Sequence, residues 1–84
     1  MLLKELIEFI LNNKIYFMEF KIFETNYNNK VFRIEEDYPE VGAYLYIYED
    51  GICIKDFLQN SIKDCMEIAL EKYQITFDKW NKIK

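Results

Sequence analysis

Carboxylates are the side chains of this chain best placed to do chemistry. Glu35, Glu36, Asp37 and Glu40 fall close together, and such a cluster can bind magnesium or divide acid and base roles. Around a turn, four acids read first as a solvated loop. The other reactive groups lack helpers. The chain has no histidine, the commonest general base and metal ligand. Ser61 is the single serine, and Thr25 and Thr76 are the only threonines. With no histidine to activate them, a hydrolase triad is excluded. Gly42 and Gly51 cannot form a phosphate-cradling loop. Glu19-Phe20-Lys21 matches the E-x-K end of one nuclease signature. Its only upstream acids, Glu5 and Glu8, fall on a predicted helix. The expectation is a protein without catalysis, cofactor or metal.

Cys53 and Cys65 form no C-x-x-C pair and have no zinc partners. Two cysteines do not make a secreted disulfide framework. Both fall where apolar residues belong, so buried reduced thiols are expected.

A different pattern stands out at Tyr44, Tyr46 and Tyr48. Strand side chains alternate between faces. The three tyrosines therefore share one face, and Ala43, Leu45 and Ile47 share the other. A tyrosine ring is apolar with a polar tip, tolerates partial exposure, and is common at binding surfaces. The same stripe also serves as a ladder that stiffens a sheet. Acids fence it: Glu35, Glu36, Asp37 and Glu40 before, Glu49 and Asp50 after. Residues 35–56 carry seven acids against Lys55, about −6 of charge, while the flanking thirds are nearly neutral. That block disfavours nucleic acid and anionic membranes as partners. It favours a basic protein.

The elements that must position these residues are legible. At 84 residues the chain is one domain. It carries seven Phe, seven Tyr and one Trp, bulk that suits a small core. Leu2, Leu3, Leu6, Ile7, Ile10 and Leu11 predict a short N-terminal helix within 1–13. Residues 15–25 read as a strand, 26–29 as a turn, and 30–35 as a second strand. Pro39 breaks the pairing, and Gly42 opens a third strand over 43–49. Asp50-Gly51 signals a two-residue hairpin turn into a fourth strand over 52–56. Ser61-x-x-Asp64 resembles a capping box and starts a helix over 61–73. Residues 75–80 add a last turn. The predicted fold is α+β: a four-stranded antiparallel β-meander over 15–58, with the 61–73 helix packed on one face. No stretch reaches the roughly 18 apolar residues of a membrane span. The start of the chain is not signal-peptide-like, and the expected location is cytoplasmic.

Glu35, Tyr38, Pro39, Val41, Gly42, Tyr44, Leu45, Tyr46, Cys53, Asp56, Leu58 and Gln59 spell a pattern, E-x-x-Y-P-x-V-G-x-Y-L-Y, then a hairpin turn, a cysteine and D-x-L-Q. Over roughly 30–80 the chain resembles a group of small bacterial proteins often encoded beside polymorphic toxins. The resemblance implies an immunity role: binding a cognate toxin and blocking its active site. The group supplies no catalytic residue to carry over. Taken together, the expectation is a non-catalytic protein-binding module, an immunity-type inhibitor that occludes a basic toxin or nuclease. Tyr44, Tyr46 and Tyr48 are its anchors, and Glu36, Asp37, Glu40, Glu49 and Asp50 its charged rim. The alternative is a homodimer that uses the tyrosine face against itself.

Overall fold

The computed structural model describes residues 19–84. The predicted helix within 1–13 and the first part of the strand predicted from residue 15 lie outside them. The described chain runs β1 (Ile22–Tyr27), β2 (Lys30–Glu36), β3 (Ala43–Glu49), β4 (Ile52–Gln59), α1 (Ile62–Tyr73), a 3₁₀ turn at Phe77–Lys79, and β5 (Asn81–Lys82). The expected four-stranded meander is corrected to a five-stranded antiparallel sheet, ordered β4-β3-β2-β1-β5.

Two turns set the pairing. Asn28 and Asn29 have φ of 50° and 61°, and Asp50 and Gly51 have φ of 52° and 77°. Positive φ at both central positions is what a tight hairpin turn requires. The β2–β3 connection is built differently. The amides of Val41 and Gly42 both donate to the Tyr38 carbonyl at 2.8 Å, and the Asp37 amide donates to the Gly42 carbonyl at 2.8 Å. Gly42 sits at φ +109°, with a point 2.0 Å from the Gln59 carbonyl oxygen where a Cβ would be.

On one face, cross-strand register aligns Phe23, Ile34, Leu45 and Phe57 in a row, with Phe32 beside Ile47 in the next. Phe32, Ile34, Ala43, Leu45 and Ile47 are buried there under Cys65 and Ala69 of α1. Ser61 caps the helix: its Oγ accepts from the Asp64 amide at 3.1 Å. Gln74 ends it in the left-handed region, and the Ile75 amide then donates to the Ala69 carbonyl at 3.2 Å. This reversal drops Ile75 and Trp80 into the same core and delivers the chain to β1. There the Ile22 amide donates to the Lys84 carbonyl at 2.9 Å, and the Ile83 amide to the Ile22 carbonyl at 2.7 Å. The Trp80 Nε1–H finds no acceptor among the described residues.

The two cysteines part company. Cys65 is buried, but Cys53 is exposed, which corrects the expectation of two buried thiols. Cys53 lies on the outermost strand opposite Tyr48, where α1 does not reach. Burial first, and then the charge of Asp64, push the Cys65 thiol up to about 12. Two outcomes are expected. Alkylation of the native protein, read by peptide mass, should label Cys53 and spare Cys65, because the thiolate is the reactive form. Second, the folded protein favours the neutral thiol. That stabilisation is fully present below the unfolded thiol's pKa and is lost as pH rises towards about 12. Urea midpoints should fall over that window, less so in Cys65→Ala; an equal fall in both proteins would remove Cys65 as the cause.

Candidate protein-binding face

The opposite face of the sheet is built by the same alternation. Register sets three rows across it: Ile22, Glu35, Tyr44 and Leu58; Glu24, Arg33, Tyr46 and Asp56; Asn26, Val31, Tyr48 and Cys53. Among the described residues, the one α-helix lies on the other side, against the core. The tyrosines form a continuous aromatic strip. The Tyr44 and Tyr46 rings stack with centroids 5.7 Å apart and planes 13° apart, and Tyr48 follows at 6.3 Å, tilted 46°. All three are half-buried. Stacked neighbours hold each ring in place, so little side-chain freedom is left to lose on binding.

Charge is organised beside the strip. Arg33 Nε donates to Glu35 at 2.8 Å and Nη1 to Glu24 at 3.0 Å. Partial burial works against the Arg33 charge, but Glu35 and Glu24 outweigh it and raise the pKa. Asp56 flanks Tyr46 on the β4 side. Among the described residues, the tally on this face is three carboxylates against one guanidinium, −3 + 1 = −2. Burial first, then the Glu35 charge, raise the Tyr46 pKa, and burial followed by Cys53 raises that of Tyr48. Tyr46 and Tyr48 therefore present neutral phenols at neutral pH.

The expected anchors Tyr44, Tyr46 and Tyr48 are brought together. The expected rim is scattered. Glu36 pairs with Ala43 on the helix side of the sheet, and its carboxylate accepts from the Lys21 amide at 3.0 Å. Glu49 has the same parity and sits 3.7 Å from Lys30. Asp37 accepts from the Tyr38 amide at 2.7 Å. Asp37 and exposed Glu40 belong to the β2–β3 connection, and Asp50 to the hairpin turn at the other end of the strip. Alternation explains Glu36 and Glu49: each is an odd number of residues from the tyrosines along its own strand or its register partner.

The acids that do share the face are Glu24, Glu35 and Asp56. Glu24, Asp56 and Arg33 were not anticipated. Glu24 and Arg33 follow from counting back through the Asn28-Asn29 turn. Asp56 could not be found that way. Counting from the Asp50-Gly51 turn sets Lys55 opposite Tyr46, but a register shift between Ile47 and Tyr48 moves Asp56 there instead. A β-bulge in β4 thus replaces a cation with an anion beside the central tyrosine.

The chain matches no protein-family model, no curated protein and no solved structure. Among the described residues, no group of three or more cysteine, aspartate or glutamate side chains could hold a metal ion, and no helix is long and apolar enough to cross a membrane.

Proposed function

We propose that this chain is a non-catalytic protein-binding module whose tyrosine face docks on a cationic protein surface. Its role is that of an immunity-type inhibitor, acting one-to-one in the cytoplasm by occluding a basic toxin or nuclease. One observation carries the reading: three tyrosines in successive contact lie on a sheet face that no other described element covers, and that face bears a net −2 among the described residues. Rigid aromatics supply affinity, and the surrounding charge speeds encounter with a cation. The same reading takes residues 30–80 to resemble small proteins encoded beside toxins. A homodimer through this face is disfavoured, because it would press two like-charged surfaces together.

The test is capture from native cell lysate by the tagged chain at low and high salt. A single basic protein should be retained at low salt and released at high salt. Tyr46→Ala should weaken its binding by about 2 kcal/mol, roughly 30-fold, as for an interface anchor. Equal capture by wild type and Tyr46→Ala would sink the proposal.

A further inference from the structure

The two edges of the sheet are unlike. On one side β5 is two residues long and ends in the Ile22–Lys84 contacts. On the other, β4 runs for eight residues and pairs only with β3 among the described residues. Ile52, Ile54 and Leu58 on it are 67%, 49% and 54% exposed. Very short edge strands are a common protection against strand addition, and long apolar ones invite it. Here the bulge and Lys55 blunt the first half of β4. The half from Asp56 to Gln59 is regular and free of proline.

We infer that β4 is a docking edge that takes an extended strand of the protein partner, so that the partner's side chains continue the tyrosine face by one more row. This rests on the binding role proposed above. The edge also specifies the strand. Directly opposite residues share a face, so the added strand sets one side chain against Asp56 and another, two residues away, against Leu58. Complementarity asks for lysine or arginine at the first and an apolar residue at the second. Asp56 has no ion pair with any of the described residues, and Leu58 is an apolar side chain left more than half exposed.

A second copy of the chain fits this edge poorly. Two-fold antiparallel pairing sets residues of equal parity opposite each other. A dyad at Lys55 opposes two lysines, and a dyad at Asp56 opposes two aspartates; like charges directly opposite destabilise a sheet. A dyad at Phe57 presses Asp56 onto Leu58 and desolvates the carboxylate without a partner. A dyad at Leu58 sets Asp56 against Asn60 and leaves it without a cation, so a different, cationic strand answers this edge better.

The test uses the full chain, isotope-labelled for NMR, and three synthetic peptides. The first alternates valine with lysine, the second valine with glutamate, and the third proline with lysine, which cannot build a ladder. The valine–lysine peptide should shift β4 amides and slow exchange of those facing outward at least tenfold. The glutamate peptide should bind at least tenfold more weakly, and Asp56→Lys should invert that order. The proline peptide should leave β4 unprotected. If both lysine peptides bind alike, with shifts confined to Tyr44–Tyr48, the edge inference falls and the surface reading stands. If β4 is protected equally by lysine and glutamate peptides, and equally in Tyr46→Ala, the cationic-surface reading falls instead. No binding by the valine–lysine peptide overturns the inference, and so does protection of β4 that rises with protein concentration alone, which would make a second copy the occupant.

Discussion

Gly42→Ala should be the most damaging single-methyl change in this protein, costing at least about 3 kcal/mol. Two terms combine. At φ +109° any side chain is strained, at roughly 1–3 kcal/mol. The added Cβ would also meet the Gln59 carbonyl oxygen at 2.0 Å, with the Gln59 and Asn60 carbonyl carbons at 3.0 and 3.1 Å. These are backbone atoms at the end of β4, paired across to Ala43, so they cannot swing aside. Relief requires parting β3 from β4 or opening the 38–42 connection with its 2.8 Å bonds at Val41, Gly42 and Asp37. Gly51→Ala is the matched control. It also has positive φ, at +77°, but nothing lies within 4 Å of its Cβ position, so about 1 kcal/mol is expected. Urea unfolding followed by Trp80 fluorescence gives both values. Equal losses would mean that the backbone yields at Gly42 and that the close approach is not a constraint.

Leu45→Ala should cost about 3–4 kcal/mol, within the range for buried leucine truncations. Leu45 is fully buried, at the middle of the Phe23–Ile34–Leu45–Phe57 row, and its removal opens a void that the flanking strands hold open. The next residue along β3, Tyr46, faces the other way and is half-exposed. Tyr46→Ala should cost stability only about 1 kcal/mol while removing the binding anchor. The pair thus separates core from surface across one peptide bond. Circular dichroism melts of both variants check it; a Tyr46→Ala loss as large as that of Leu45→Ala would make the stripe a second core.

The parts of the fold that were legible are those written in local chemistry. Asn28-Asn29 and Asp50-Gly51 announce turns because few residues accept positive φ. Ala43–Glu49 announces a strand because its two faces differ so sharply. Ser61 announces a helix because a hydroxyl followed by an acid three residues later caps one. The parts that were missed depend on distant partners. β4 was expected to stop at Asp56, yet it continues through Phe57, Leu58 and Gln59 because β3 still offers Leu45, Tyr44 and Ala43 to pair with. Nothing in Asn81-Lys82 suggests a strand; backbone bonds to β1 make it one. The site divides the same way. The tyrosines follow from period two alone. The acids beside them depend on register, and register depends on a bulge that leaves no mark in the residue types around Ile54.

The position of β5 bears on when this protein can become itself. Its partner, β1, belongs to the opposite end of the described chain, and Ile75 and Trp80 complete the core only on the way there. Of the described elements, a chain made only as far as Gln59 supplies four strands, but neither the helix that covers their apolar face nor the strand that pairs with the outer side of β1. Until residues 75–84 emerge, the core lacks Ile75 and Trp80, and β1 lacks β5 as its neighbour among the described residues. The described fold therefore closes late: β1 waits through the synthesis of every other described element before its outer partner exists.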